Sequence, residues 1–480
     1  MSSSSSYIAE LNILKLAVAE IKQHGSKQRP DKIEKLCLNP TLQLLKLGWR
    51  NLPALLQERQ TAAPVPGDEY VLLYYGEDAL KVESADANDL LAIKIMAEDI
   101  SREDAAREGG VVVGVIDQIL ATAVQRGFLL APESKIRRDP KKFPPGQKIP
   151  AEFFIAPIFT LQWHITQTCD LHCKHCYDRS TRTPLELEQG LHILDDLRRF
   201  CLVHNVRGQV SFSGGNPLLY PHFFELYQAA VDRNLQVAIL GNPASRAIME
   251  KIIAIKRPAY YQVSLEGLEE HNDFIRGAGH FKRIIKFLAL LKELKIYSMV
   301  MLTLTRDNMA QVIPLAAELS GQSDEFTYNR LAMVGEGAAL LSVKPEEYSA
   351  FVEEYLAAAQ TNPVISFKDN LLNISRRQHA QAPFGGCAGY GCGAAFNFVS
   401  VLPDGEVHAC RKLPSYIGNI FRQSINEIYH GESARRYRTG TSACATCDIR
   451  PVCGGCLAVT HGFGLNIFQD KDPYCWLAPD

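Results

Sequence analysis

The stretch CDLHCKHCYDRS, residues 169 to 180, places Cys169, Cys173 and Cys176 within eight residues, with Tyr177 immediately after. Thiolates at this spacing suit zinc or an iron–sulfur cluster. Zinc would need a fourth donor, which His164, His172 or His175 could supply. A cubane cluster wrapped by three cysteines would instead keep one iron open, an arrangement suited to an enzyme. A second group comprises Cys387, Cys392, Cys410, Cys444, Cys447, Cys453, Cys456 and Cys475. On its own, CATCDIRPVCGGC reads as a zinc ribbon. Cys37 and Cys201 stand apart and read as small buried hydrophobes.

The elements around these cysteines give them context. Strands are expected at 159–165, 208–213, 235–240, 260–265, 298–304 and 325–331, with room for a helix between successive strands. Near-continuous apolar strands alternating with helices predict a parallel sheet, open or curled. The first cysteine group follows strand one, and Gly214, Gly215, Asn216 and Pro217 follow strand two. GNP (Gly241 to Pro243) follows strand three, Glu266 strand four and Thr305 strand five. All lie at strand C-terminal ends, where α/β folds build ligand sites.

Before this region, residues 7–24 have helical spacing, and Leu42 to Leu56 reads as a second helix. PVPGD breaks that pattern. YVLLYY and DALKVE follow as strands joined by the turn GED, then helices near 88–97, 101–108 and 115–126. ESKIRRDPKKFPPGQK reads as a linker. The resulting division is a helical segment 1–65, a small strand and helix module 66–135, a linker 136–152, an α/β domain 153–375 and a cysteine-rich domain 376–480.

The chain of 480 residues is 46% hydrophobic and 22% charged, with 51 Lys+Arg against 53 Asp+Glu. This composition fits a soluble globular protein and gives no overall basic bias toward nucleic acid or an anionic membrane. No signal peptide or membrane-length stretch is present, so a cytoplasmic location is expected. In that compartment thirteen cysteines point to ligation or catalysis rather than disulfides.

CxxxCxxC after the first strand and a GG-[E/N]-P turn after the second resemble the radical S-adenosylmethionine superfamily. The resemblance implies a partial (β/α)6 barrel with a [4Fe-4S] cluster on Cys169, Cys173 and Cys176. It further implies S-adenosylmethionine on the open iron, cleaved to a 5′-deoxyadenosyl radical that abstracts a substrate hydrogen. Gly214 and Gly215 would let the backbone approach the cofactor's amino group. Asn216 stands where glutamate is more usual, Pro217 completes the turn, and Ser264 and Arg276 match cofactor-holding positions. His175 and Tyr177 would wall the site.

The C-terminal cysteines, with Gly405 four residues before Cys410, are similar to the SPASM extension of peptide-modifying radical enzymes. That implies two auxiliary [4Fe-4S] clusters, three in all. One would sit on Cys387, Cys392, Cys410 and Cys456, the other on Cys444, Cys447, Cys453 and Cys475. Residues 66–135 resemble the winged-helix-like recognition domains of peptide maturases, which implies a ribosomal precursor peptide bound through its leader. The relationship also implies a flavodoxin- or ferredoxin-type electron donor.

WHITQTCDLHCKHCYDRS, SFSGGNPLLYPHF and FGGCAGYGCGAAFNF most resemble the selenobiotic, thio(seleno)oxazole-forming maturases. Sulfatase-maturing relatives carry an acid where Arg411 stands. The expected reaction is hydrogen abstraction from Cys or Sec and oxidative cyclisation onto a backbone carbonyl oxygen. The alternatives are thioether or carbon–carbon crosslinking by a SPASM maturase, and a zinc-binding peptide adaptor with no catalysis. The sequence names no catalytic acid or base; Glu266, Glu336 and Tyr177 are nominal candidates.

Overall fold

The computed structural model describes residues 4–24, 30, 32–56, 63–76, 79–143 and 149–477. The chain divides into two compact units: Met1–Glu133 with Asp232–Asn234, and Ser134–Val231 with Leu235–Asp480.

The first unit contains β1 (Cys37–Leu38), β2 (Gln43–Arg50), β3 (Val65–Tyr75), β4 (Leu80–Ser84) and β5 (Leu129–Leu130). β2, β3 and β4 form an antiparallel sheet in that order, and β1 pairs with β5. Side chains alternate across a strand, so β3 serves two cores. Val71 and Leu73 pack with Leu14 and Ile21 of the helix Ser4–His24, while Leu72 and Tyr74 pack with Ile95, Ile116 and Leu120 of the helices Ala87–Ala97 and Val113–Arg126. The helix Arg102–Gly109 starts at Ser101, whose side chain accepts from Asp104 N–H, and ends at left-handed Gly110.

Two expectations are corrected here. Leu42 to Leu56 is β2 followed by a short helix, Leu52–Leu56. Leu42, Leu45, Trp49, Leu52 and Leu56 satisfy helical spacing, but Leu45, Leu47 and Trp49 also alternate, and pairing with β3 selects the strand. Because β2 belongs to this sheet, no boundary falls at residue 65. PVPGD is also not a break: Pro66 pairs with Trp49 at a register shift, beyond the length of β3 that β4 covers. Residues 77–78 of the expected GED turn lie outside the described residues.

The second unit contains β6 (Ile158–Thr166), β7 (Arg207–Gly214), β8 (Gln236–Leu240), β9 (Tyr261–Ser264), β10 (Ser298–Leu304) and β11 (Glu325–Arg330), each within one residue of the expected bounds. They are parallel neighbours from β6 to β11, with helices between them and Phe159, Leu161, Trp163, Val210 and Phe212 in the core. The α/β parallel-sheet class therefore holds.

The sheet continues past β6. β12 (Phe398–Val401) runs parallel to β6, and β13 (Glu406–His408) and β14 (Tyr416–Asn419) add antiparallel strands. The C-terminal region thus shares a nine-stranded sheet with the α/β region among the described residues, with no physical break at 375/376. The expected linker is also packed in its described part. Ile136, Arg138 and Phe143 are buried, and Arg138 donates to the carbonyls of Tyr390 and Cys392 at 2.6 and 2.7 Å. Residues 144–148 of that segment lie outside the described residues. Among the described residues, no helix is long and apolar enough to cross a membrane.

Candidate active site

The loop after β6 carries the first cysteine group into a cavity of about 490 Å³ at the C-terminal ends of the strands, within the range of small-molecule sites. Cys169, Cys173, Cys176, His175, Tyr177, Gly214, Gly215, Ser264 and Arg276 all line it. Asn216 and Pro217 are not among the lining residues. Asn216 instead donates to Asp170 Oδ1 at 3.0 Å and accepts from Leu218 N–H, while Pro217 opens the short turn that follows. The loop follows β7, and the Asn216 side chain points to its own scaffold.

The two glycines serve that scaffold as well. Gly214 has φ +128°, and a Cβ there would lie 2.1 Å from Thr166 O; one on Gly215 would lie 2.3 Å from Thr168 O. Gly215 and Asn216 N–H bond to those same carbonyls at 2.9 and 2.8 Å. The glycines thus permit the β7 loop to lie against the start of the cysteine loop, a requirement that precedes any contact with a cofactor.

Arg276 stands at an expected cofactor-holding position, yet most of its donors are engaged within the protein. Nε and Nη2 bond to Glu266 Oε1, at 3.0 and 2.6 Å, and Nη1 lies 3.8 Å from Cys173 Sγ. Nη2 also lies 3.3 Å from His175 Nε2. Glu266 is buried, and its other oxygen accepts Thr303 N–H at 2.8 Å. Burial alone would raise its pKa, but the charges of His175 and Arg276 and the Thr303 bond hold it below the usual carboxylate range. Glu266 is therefore the anchor of Arg276 rather than a free acid. Burial pushes the Cys173 thiol up, and Arg276 opposes that shift.

Tyr177 is held by His164 of β6, with its hydroxyl 3.1 Å from Nε2. Burial pushes Tyr177 up to about 12 and His164 down to about 3. Glu336 is exposed and does not line the cavity; its backbone N–H donates to Cys176 O at 2.9 Å. Asn242, in the GNP turn after β8, donates to Asp170 at 2.6 Å and lies 3.7 Å from Cys169 Sγ. Its place after a strand was the available sequence signal.

A second cavity, of about 240 Å³, is lined by Cys387, Cys392, Cys410 and Cys456 and shares Arg330, Arg411 and Lys412 with the first. Within this set Cys392 interacts electrostatically with Cys387 and Cys410, and Cys456 with Cys392. Cys453 interacts likewise with Cys444, Cys447 and Cys475. Burial raises the thiols of Cys392, Cys410, Cys444, Cys447, Cys453 and Cys456. The eight residues thus fall into two neighbourhoods of four. The thiols of Cys387, Cys392, Cys410 and Cys456 border one space. Cys201 is buried in the core, as expected, whereas Cys37 is only partly buried.

The radical SAM superfamily model matches residues 163–319, and the SPASM iron-sulfur cluster-binding domain model matches residues 392–456. Mycofactocin maturase MftC of Mycolicibacterium smegmatis is 30% identical over 348 residues, 68% of this chain and 84% of that protein. AdoMet-dependent heme synthase of Methanosarcina barkeri is 25% identical over 351 residues, 66% of this chain and 96% of that protein. SuiB of Streptococcus suis, solved with S-adenosylmethionine and with precursor peptide SuiA, matches in fold with a TM-score of 0.53 at 15% identity, covering 85% of this chain and 96% of that one. The chain belongs to the radical S-adenosylmethionine superfamily and carries a SPASM domain. It is an enzyme whose cofactors are S-adenosylmethionine and [4Fe-4S] clusters.

Proposed function

We propose that this enzyme matures a ribosomally made precursor peptide. The observation that carries the reading is the junction of the two cavities: Arg330, Arg411 and Lys412 border both the three-cysteine site and the first four-cysteine site. A substrate held there would be close to both a radical source and an electron acceptor. The names of MftC and SuiB support a peptide substrate over a tetrapyrrole. So does the first unit, where β4 with Val18, Lys22, Pro53 and Ala54 borders a groove in which a leader segment would lie. β3 is interior to its sheet and β4 lies at its edge, so a leader would add beside β4.

Cys169, Cys173 and Cys176 would hold the first cluster, and the two four-thiol sets the auxiliary clusters, three in all. When bound, the first cluster and S-adenosylmethionine supply a 5′-deoxyadenosyl radical that takes a hydrogen atom from the substrate. Arg276, fixed by Glu266, stabilises the Cys173 thiolate and keeps one Nη1 N–H for a further acceptor. Ser264 lines the cavity from the end of β9, where it would help hold the cofactor. His175 packs on the Arg276–Glu266 pair, and Tyr177 closes the side next to β6. Glycines 214 and 215 bring the β7 loop close enough to border the same space, with Asn216 and Pro217 fixing its shape. Arg411 presents a cation where an acid would favour sulfatase-type chemistry.

Within this class the reading is thio(seleno)oxazole formation at Cys or Sec, supported by the sequence resemblance. For each pair of hydrogens lost, one would leave as an atom to form 5′-deoxyadenosine, and the remaining substrate radical would lose one proton and give one electron to an auxiliary cluster held by the four-thiol sets. A flavodoxin- or ferredoxin-type protein would reduce the first cluster. The test is anaerobic reconstitution with S-adenosylmethionine and reductant. Release of 5′-deoxyadenosine, stimulated by the peptide encoded beside the gene, is expected; zinc binding without iron or sulfide, and no release, would support the adaptor instead.

A further inference from the structure

Three arginines meet in the second unit with no carboxylate partner among the described residues. Arg138 and Arg450 are each 5% exposed and stack on Phe143, both 4.6 Å from its centroid. Arg438, half-buried, lies over Tyr429 at 4.0 Å. Their hydrogen bonds run to neutral backbone carbonyls, and Arg138 Nε finds no partner among the described residues. Arg138 reaches Tyr390, Cys392 and Arg438 at 2.6, 2.7 and 3.1 Å. Arg450 reaches Lys142, Thr439 and Thr441 at 2.8, 2.7 and 3.2 Å, and Arg438 reaches Tyr429 and Ala395 at 2.6 and 3.1 Å.

The other buried arginines of this unit are neutralised: Arg276 by Glu266, and Arg330 by Asp369 and Asp472. Burying a cation with no counter-charge is unfavourable. One narrow cavity is bordered by all three arginines together with Cys392 and Cys444, one thiol from each four-cysteine set. Four thiolates around an oxidised [4Fe-4S] core leave a net charge of about −2. Two such sites would provide the anions that these guanidinium groups lack.

We propose that Arg138, Arg438 and Arg450 form a cationic partition between the two auxiliary clusters and raise the reduction potentials of both. This rests on the reading that the eight thiols hold two clusters. The arginines are positioning residues, since they act through the clusters and touch no substrate. A reduced cluster carries one more negative charge than an oxidised one, so a nearby fixed cation favours reduction. Arg138 is tied to the Cys392 set by its bond to that residue's carbonyl, and Arg450 lies toward the Cys444 set.

The test is an EPR-monitored redox titration of the reconstituted full-length holoenzyme. Arg450→Gln should lower the potential of one auxiliary signal more than the other, Arg138→Gln should show the reverse preference, and Arg→Lys at either position should restore most of the shift. Should the buried substitutions prevent folding, the half-buried Arg438→Gln decides the matter, with a smaller downward shift expected in both signals. Unmoved potentials, or a Lys variant as low as the Gln variant, would overturn the partition. A wild-type protein lacking auxiliary signals would instead overturn the two-cluster reading, and the partition with it.

Discussion

Arg330, at the end of β11, and Asp472, near the C-terminus, form a two-pronged ion pair with both N···O distances at 2.8 Å. Asp369 takes the remaining direction at Nε, also at 2.8 Å, and Asp472 Oδ2 accepts the backbone N–H of Cys456 at 2.8 Å. One buried network therefore ties the α/β region to Cys456, a proposed ligand of the first auxiliary cluster. Removing one partner of a buried pair leaves the other charge uncompensated. Asp472→Ala should cost about 3–5 kcal/mol of stability and loosen the Cys456 site. Asp369→Ala should cost less, because Asp472 still holds the guanidinium. Guanidinium denaturation with iron analysis checks both.

Replacing Cys169, Cys173 and Cys176 together by Ala should abolish 5′-deoxyadenosine formation yet leave about two thirds of the iron, since four-thiolate clusters do not depend on these residues. Iron and sulfide analysis after anaerobic reconstitution provides the measure. Loss of nearly all the iron would argue against separate auxiliary sites.

His164 is buried beside Tyr177, and its Nδ1 finds no partner among the described residues. Burial holds it neutral, with its pKa lowered from 6.5 to about 3. Between those values the unfolded chain binds more protons than the folded one, so stability falls as pH drops through that window. His164→Gln should flatten this part of the stability profile. Thermal melts across the window, compared with wild type, test the assignment.

The groove in the first unit gives a separable expectation. Ala54→Asp places a charge among Val18, Leu56 and Val82, and should weaken binding of the full precursor about tenfold. The same change should leave a leaderless peptide and peptide-independent cofactor cleavage unaffected. Fluorescence anisotropy with labelled precursor reads the difference.

Much of the site was visible in sequence because apolar runs mark parallel strands and the unusual residues fall at their ends. Cys169, Gly214, Ser264 and Arg276 consequently appear in one cavity. Direction was less visible. Asn216 turns to Asp170, and Arg276 turns to Glu266, because side-chain orientation depends on partners that spacing does not encode. The Leu42–Leu56 stretch fits two periods at once, and only β3 decides between them. Arg330 and Asp472 are 142 residues apart in the chain, and Arg138 lay in a segment whose Pro and Lys content suggested a linker. Neither long-range relationship has a local sequence signature.

The most direct test of the account is tandem mass spectrometry of the precursor peptide coexpressed with the wild-type enzyme and with Cys173→Ala. The account predicts loss of hydrogens in pairs, localised to one Cys or Sec residue and its neighbouring carbonyl, with the wild type and an unmodified peptide with the variant. An unmodified peptide with both proteins would contradict it, and a crosslink between two residues would retain radical maturation while replacing the oxazole assignment.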